Sequence, residues 1–312
     1  MQEGLRVEYA VEERKNEIQV MCGHFIHWFT PEKNTREKFV VFVLDVSGSM
    51  GISTNSGGDR LKQLKSAMNQ ILTKMISSED YFSIITFSSD VNKWTESYDE
   101  QTKIGIFKGK YRTKARIYVN RLRADGLTNI NSALLKGISL AENSKSSLSG
   151  KGLAPMVVFL TDGDATAGVQ DEGQIMENVH KMNTGKIPVL TLGFGLDSDF
   201  SLLQGISAQT DSLSRMIFDG VDAGDQLENF FHQIERPTLS NVQFKYIGNV
   251  KQGSLSKQYQ GQMFSGGEHV TVGETQDTEG ELAVIISANS RDGNVTTKTT
   301  LLEENSHTDT DQ

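Results

Sequence analysis

Short apolar runs alternate with amphipathic segments through most of this chain, and this pattern constrains the fold most strongly. The runs KFVVFVLD, YFSIITF, APMVVFLTD and IPVLTLGFG are rich in β-branched, aromatic and aliphatic residues, as expected of strands that are covered on both faces. The segments between them carry apolar residues at helical spacing, for example Leu61, Leu64 and Met68. Alternating strands and helices predict an α/β fold with a doubly wound, mostly parallel sheet.

The two ends of the chain show a different pattern. EIQVMCGHFIHWF near the start is strand-like, and NVQFKYI, EHVTVG and ELAVIISA after Pro237 alternate with period two between glycine-rich turns. These segments predict a small antiparallel β module formed from both chain ends. The expected divisions are a β segment at 1–37, the α/β domain at 38–236, a β-sandwich-like module at 237–300 and a disordered polar tail at 301–312.

Charge and hydropathy exclude some functions. The 312 residues carry a net charge of −9, which argues against a nucleic-acid partner because such a partner needs a basic face. The chain contains no run of about 18 or more apolar residues, so no membrane span is predicted.

The compartment is less constrained. Cys22 is the only cysteine, which rules out an intrachain disulfide and fits the cytosol without excluding secretion. The charged start MQEGLRVEYAVEERKNE has no apolar signal-peptide core. We therefore expect either an intracellular protein or a piece of a longer chain.

The first strand of the α/β block ends in an unusual polar motif. Asp45 follows the apolar run directly, and Ser47 and Ser49 come at every second position after it in LDVSGSMG. In an extended turn, all three side chains can point the same way. Because ligands of doubly wound sheets bind at the carboxyl ends of the strands, one carboxylate and two hydroxyls here predict a site for Mg²⁺, or for Mn²⁺ or Ca²⁺.

Further oxygen donors occupy corresponding places along the chain. Asp162 follows another buried strand in FLTDGDAT, and Thr128 lies in the loop DGLTNI at the start of a helix. Thr128 also has the character of a helix N-cap residue. With no histidine or cysteine near these positions, zinc is not expected. An open coordination position could accept a carboxylate from a partner.

These three elements together resemble the metal-ion-dependent adhesion site of von Willebrand factor A domains. DVSGSM matches the DxSxS motif of that family, GLTNI supplies its threonine and LTDGD its second aspartate. The resemblance implies that the metal ligands are Asp45, Ser47, Ser49, Thr128 and Asp162.

A narrower resemblance covers most of residues 18–290. GHFIHWFTPE, TDGDATAG, LGFGLD and FSGGEHVTVG are similar to inter-alpha-trypsin inhibitor heavy chains. This resemblance implies a secreted protein of the hyaluronan-rich extracellular matrix that binds an acidic protein ligand through its metal, with possible glycosaminoglycan association in the full-length protein. The heavy-chain segment that carries a chondroitin sulfate ester has no counterpart here.

Two other functions remain open. An intracellular scaffold would fit the single cysteine and the absence of a signal peptide. A magnesium-dependent phosphoryl-transfer enzyme is disfavoured, because its second carboxylate commonly lies two residues after the first and that position is Ser47. The chain also has no Walker or nucleophile-elbow motif. We therefore predict a binding protein with no catalytic residues.

Three minor features have structural explanations that compete with functional ones. The basic stretch KGKYRTKAR could contact a sulfated polysaccharide, although a solvated helix face is favoured. His24 and His27 are expected to be packing or surface residues. Asn294 begins the glycosylation sequon NVT, which matters only if the chain is secreted.

Overall fold

The computed structural model describes residues 16–54, 58–97, 99–148, 153–195, 198–218, 222–277 and 280–301. Apart from Leu301, the predicted disordered tail lies outside these residues.

The described elements follow the predicted alternation. The strands are β1 (Asn16–Met21), β2 (His24–Phe29), β3 (Lys38–Asp45), β4 (Ser53–Thr54), β5 (Gly58–Asp59), β6 (Tyr81–Phe87), β7 (Val91–Lys93), β8 (Phe107–Lys108), β9 (Ala154–Thr161), β10 (Val189–Phe194), β11 (Ser214–Ile217), β12 (Pro237–Gly248), β13 (Tyr259–Phe264), β14 (His269–Glu274), β15 (Leu282–Ser290) and β16 (Gly293–Leu301). The α-helices are α1 (Arg60–Lys74), α2 (Glu100–Lys103), α3 (Arg112–Arg121), α4 (Ile130–Ser147), α5 (Glu172–Met182), α6 (Phe200–Ala208) and α7 (Ala223–Ile234). Short 3-10 helices span Gly48–Gly51 and Gly109–Tyr111.

The central sheet has the strand order β11-β10-β9-β3-β6-β7, with β8 also paired to β6. The pairs among β11, β10, β9, β3 and β6 are parallel, and β7 and β8 join β6 in antiparallel orientation. The prediction of a doubly wound, mostly parallel sheet is confirmed. Strands β7 and β8 were not predicted, because three-residue and two-residue segments carry too little periodicity to recognise.

The strand order changes direction at β3. The chain moves from β3 to β6 on one side of it and then returns to β9 on the other side. The loops after β3 and β9 therefore leave the same edge of the sheet next to each other, and a crevice forms at such a switch point.

Both faces of this sheet are buried, which explains the continuous apolar runs. On one face, Phe42 of β3 packs in a core with residues of α1, α3 and α7. On the other face, Val43 packs in a core with residues of α4, α5 and α6. A parallel strand that is covered on both faces needs apolar residues at successive positions. The charged residues of β3, Lys38 and Asp45, therefore lie only at its two ends.

Strands from both chain ends form the second structural unit, as predicted. One antiparallel sheet has the order β1-β2-β14 and the other the order β13-β12-β15-β16. A shared core includes Ile18 and Phe25 from the first sheet and Phe244 and Val284 from the second. This packing of two sheets confirms the antiparallel β module.

The first strand-like segment is a hairpin rather than one strand. β1 and β2 pair through a two-residue turn in which Cys22 has φ 52° and Gly23 has φ 75°. Positive φ at both central residues is the geometry of tight hairpin turns. Gly23 is the sequence signal for this turn. Among the described residues, none of the helices combines the length and apolar character that crossing a membrane requires.

Candidate metal-ion site

The carboxylate of Asp45 is held at the end of β3 by two hydrogen bonds. Its Oδ1 accepts from the backbone N–H of Ser47 at 2.7 Å, and its Oδ2 accepts from the hydroxyl of Thr161 at 2.5 Å. Thr161 is the last residue of β9, the neighbouring strand. The position of this carboxylate therefore depends on both its own loop and the adjacent strand.

The two serines connect this carboxylate to a second one. The hydroxyls of Ser47 and Ser49 are 3.0 Å apart, and the Ser49 hydroxyl donates to Oδ1 of Asp162 at 2.7 Å. Asp45, Ser47 and Asp162 are buried. The structure thus brings four of the five predicted residues into one hydrogen-bonded group at the switch point.

Thr128 lies in an adjacent loop that is tied to the same strand ends. Its backbone N–H donates to the Thr166 hydroxyl at 2.9 Å, and its carbonyl accepts from the Thr166 N–H at 3.0 Å. The carbonyl of Gly126, two residues earlier, accepts from the N–H of Gly48 at 3.0 Å. The Thr128 side chain is buried, but within the described residues its hydroxyl makes no hydrogen bond to the other four.

The predicted N-cap is displaced by one residue. Helix α4 begins at Ile130, and the side chain of Asn129, not that of Thr128, accepts the capping hydrogen bond from Ser132 N at 3.3 Å. The expectation for Thr128 as a cap was wrong, because Asn is also a strong cap former and the boundary lies one residue later. The hydroxyl of Thr128 is therefore not used by the helix.

The electrostatics of Asp45 favour a cation. Burial raises the pKa of this carboxyl to about 6, against the hydrogen bonds from Ser47 and Thr161 that lower it, and the charge of Asp162 raises it further. No cationic side chain pairs with Asp45 in the described part of the chain. A buried carboxylate normally needs a counter-charge, and hard oxygen donors suit Mg²⁺ or a similar ion. The residues present fit the implied metal.

Arg60 is part of this site and was not predicted. Its Nη1 lies 3.1 Å from Oδ2 of Asp162, and both side chains are almost fully buried, at 9% and 0% exposure. A partial signal exists in the sequence. Arg60 follows the N-cap Asp59 and opens α1, and a cation at the positive end of a helix dipole is unfavourable unless an anion is nearby.

An acidic cavity of about 370 Å³ lies beside the loop that carries Asp162. Asp164, Glu172 and Asp199 line it, and repulsion from Asp199 is the main cause that raises the pKa of Glu172. Among the described residues, no group of three or more His, Cys, Asp and Glu side chains is arranged to hold a metal ion. This cavity is lined by carboxylates, whereas the Asp45 site combines carboxylates with hydroxyls.

The minor candidates have clear positions. His27 is buried and bonded to the hydroxyl of Tyr246 at 2.7 Å and to Asn16 Oδ1 at 2.9 Å, so it belongs to the sandwich core, whereas His24 is exposed. In the basic stretch, Arg112 donates to the carbonyl of Ile76 at 2.9 Å. Asn294 is exposed near the start of β16.

Comparison with known proteins agrees with this architecture. The family profile of the von Willebrand factor type A domain matches residues 40–233. The chain is 34% identical to human inter-alpha-trypsin inhibitor heavy chain H6 over 91% of its length, and 32% identical to human heavy chain H3 over 86%. These alignments cover 21% and 29% of the relatives, so the chain spans less than a third of their length.

Solved structures share the fold. The von Willebrand factor type A protein from Catenulispora acidiphila matches with a TM-score of 0.69 at 13% identity, covering 89% of this chain and 68% of that one. The ArnB paralog VWA2 from Sulfolobus acidocaldarius matches with a TM-score of 0.56 at 14% identity, covering 89% and 69%. The chain therefore belongs to the von Willebrand factor type A domain family, and its domain and flanking strands together are similar to inter-alpha-trypsin inhibitor heavy chains.

Proposed function

We propose that this chain is a divalent-cation-dependent binding module. Asp45, Ser47, Ser49, Thr128 and Asp162 hold Mg²⁺, or Mn²⁺ or Ca²⁺, and an acidic group of a protein partner completes the coordination. One observation carries the proposal: the Asp45 carboxylate is buried, has no paired cation among the described side chains, and lies in one hydrogen-bonded group with two hydroxyls and a second carboxylate.

The residues of the site divide into ligands and supports. Asp45 supplies a full negative charge, and Thr161 and the Ser47 N–H orient it. The hydroxyls of Ser47 and Ser49 supply neutral oxygens, which leave the total negative charge low. A bound divalent cation would then retain the positive charge needed to attract a partner's carboxylate.

We propose binding rather than catalysis as the role of these residues. The position two residues after Asp45, where a phosphoryl-transfer site commonly has its second carboxylate, is Ser47, and its hydroxyl is bonded to that of Ser49. The similarity to heavy chains supports the same choice.

We further propose an extracellular matrix setting for the protein, with an intracellular scaffold as the alternative. Support comes from the similarity to heavy chains, which includes the flanking β strands. Glycosaminoglycan association remains a prediction of that similarity.

Asn294 separates the two settings, because its exposed sequon is modified only in a chain that enters the secretory pathway. The test is expression of the full-length gene in cultured cells, followed by enzymatic deglycosylation. A decrease in mass on deglycosylation that occurs in the wild type and not in Asn294→Gln supports secretion. An intracellular protein of unchanged mass contradicts it.

Metal dependence is tested by calorimetric titration of Mg²⁺ and Mn²⁺ into the purified chain and into Asp45→Ala. We expect one binding site in the wild type and none in the variant. Asp171→Ala is the matched control, because this acidic residue caps α5 outside the proposed ligand set. Absence of binding by the wild type, or equal loss in both variants, contradicts the proposed site.

Partner recognition is tested with an array of peptides that carry a central Asp or Glu, paired with Asn or Gln versions. Binding to the acidic peptides should require Mg²⁺ and disappear with EDTA or in Asp45→Ala. Equal binding to the amide versions would contradict a role for the partner's carboxylate.

A further inference from the structure

Arg60 occupies a position that is unfavourable for a cation. It is the first residue of α1, whose first turn contains no acidic residue, and its side chain is buried. The N-terminal end of a helix carries partial positive charge, and burying a guanidinium costs free energy unless an anion pairs with it. Asp162 supplies such an anion, with its Oδ2 at 3.1 Å from Arg60 Nη1.

The two oxygens of Asp162 face different partners. Oδ1 accepts from the Ser49 hydroxyl at 2.7 Å, whereas Oδ2 pairs with Arg60. The guanidinium therefore orients the carboxylate so that one oxygen is directed to the Asp45–Ser47–Ser49 group. A cation held by that group could use Oδ1 while Oδ2 stays on Arg60.

We infer that Arg60 is an internal counter-cation of the metal site, which positions Asp162 in the metal-free protein and weakens cation binding. The positioning half of this inference concerns the metal-free protein alone. The affinity half, the weakening of cation binding, rests on the proposed function. With Arg60 included, the charges of Asp45, Asp162 and the guanidinium leave the site with one net negative charge instead of two. A site of lower charge binds a divalent cation less tightly and leaves more of the cation's charge for the partner's carboxylate.

The positioning half of the inference is tested without metal. A double-mutant cycle of Arg60→Met, Asp162→Asn and the double variant is measured by urea unfolding in EDTA. We expect Arg60→Met to lower the unfolding midpoint, and the double variant to recover part of that loss because neither Arg60 nor Asp162 is then left as a buried charge without the other. Additive effects would overturn the ion pair. Arg60→Lys keeps the charge and covers the case in which Arg60→Met does not fold.

The affinity half is tested by calorimetry with Mg²⁺ and Mn²⁺ in chelator-free buffer. We expect Arg60→Met to bind the metal ion about tenfold more tightly than the wild type does. Its melting temperature should also rise more on metal addition. Arg60→Lys should stay near the wild type. Lys62→Met is the matched control, since Lys62 is an exposed cation in the same helical turn and its removal changes the net charge equally.

The outcomes separate the two proposals. Unchanged or weaker binding by Arg60→Met, or an equal gain in Lys62→Met, overturns Arg60 as the internal counter-cation. If neither the wild type nor any variant binds metal, the proposed function fails together with the affinity half. The cycle in EDTA then decides the positioning half by itself.

Discussion

Asp45 shows most clearly, at the scale of single residues, how this chain departs from a structure built only for stability. A carboxylate at the buried end of β3 is disfavoured by desolvation, and its pKa is raised to about 6. Because a tenfold change in proton affinity corresponds to about 1.4 kcal/mol, the ionised form costs stability near neutral pH when no metal is bound. A neutral side chain in the same place avoids that cost.

Asp45→Asn is therefore predicted to stabilise the metal-free protein. At about pH 8 in EDTA we expect an increase of about 1–3 kcal/mol in the free energy of unfolding, measured by urea denaturation. With Mg²⁺ in excess the order should reverse, since Mg²⁺ stabilises only the wild type. A variant less stable than the wild type in EDTA would contradict the proposed cost of this charge.

The difference in unfolding free energy between the wild type and Asp45→Asn should depend on pH with a definite sign. The folded metal-free protein takes up a proton at Asp45 near pH 6, whereas the unfolded chain does so near the ordinary aspartate pKa of 3.8. Stability of the wild type relative to Asp45→Asn should therefore rise as the pH falls from about 7 to 4. A difference that stays constant over this range would contradict the raised pKa.

At the residue scale, candidate ligands that directly follow a strand could be located from the sequence. Side-chain contacts between residues far apart in the chain could not. Asp45 and Asp162 could be placed because both follow recognisable apolar runs. Arg60 could not be placed, because its partner is 102 residues away in the chain and nothing local shows which carboxylate it meets. The cap of α4 was placed one residue early, since Thr128 and Asn129 are both cap formers.

At the scale of elements, the loop that carries Thr128 depends on Gly126. This residue has φ +81°, and a Cβ atom there would lie 2.9 Å from the Ser89 hydroxyl. Its carbonyl also accepts from Gly48 N in the Asp45 loop. A side chain at Gly126 would therefore both strain the backbone and move the loop.

We predict that Gly126→Ala weakens Mg²⁺ binding severalfold and lowers stability by about 1–2 kcal/mol. Gly253→Ala is the matched control, because Gly253 shares φ +81° but has no atom within 4 Å of the added Cβ. The control should lose similar stability and keep wild-type affinity in calorimetry. Equal affinity in both variants would show that the Gly126 loop does not support the site.

The β sandwich contains two buried histidines, His27 and His269. Burial lowers the pKa of each to about 4, and the charge of Lys257 adds to this effect at His269. Each histidine is neutral in the folded protein and takes up a proton near pH 6.5 when unfolded. Their contribution to stability is complete above that value and is lost as the pH falls toward 4.

Stability with saturating Mg²⁺ should therefore fall by about 2 kcal/mol per histidine between about pH 7 and pH 5. His27→Gln should reduce this pH dependence, as measured by urea denaturation at each pH. His24→Gln is the control, because His24 is exposed in the same strand. A slope unchanged by His27→Gln would exclude this histidine as a cause.

At the scale of the whole molecule, Arg36 joins the two structural units. Its guanidinium donates to the Ser240 hydroxyl at 2.9 Å and the Asn289 carbonyl at 3.1 Å in the sandwich, and to the Leu153 carbonyl at 3.2 Å before β9. Arg36 precedes β3, whereas the candidate site follows the other end of that strand. On this basis we propose that the boundaries between the two structural units lie at about residues 38 and 236.

Arg36→Met is predicted to lower the free energy of unfolding by about 2–3 kcal/mol, because partly buried hydrogen bonds from a charged donor are lost. Its Mg²⁺ affinity should equal that of the wild type, since the junction and the site lie at opposite ends of β3. Urea denaturation and calorimetry measure the two quantities. A large loss of affinity would contradict the separation of the junction from the site.

Much of the whole architecture follows from periodicity, because long apolar runs and period-two segments determine which elements form. The sequence predicts that both chain ends form one β module, but it does not predict that β2 pairs with β14. The register of that pair depends on side-chain packing between the sheets. The hairpin turn at Cys22–Gly23 and the short strands β7 and β8 escaped prediction, because they are defined by backbone geometry rather than by a repeated pattern.

The most direct test of the proposed function is an anomalous diffraction map of crystals grown with Mn²⁺. The account predicts one strong peak in contact with oxygens of Asp45, Ser47 and Ser49, beside Thr128 and Asp162. The same peak should be absent from crystals of Asp45→Asn. A map with no peak at these residues, or with its only strong peak in the cavity lined by Asp164, Glu172 and Asp199, would contradict it.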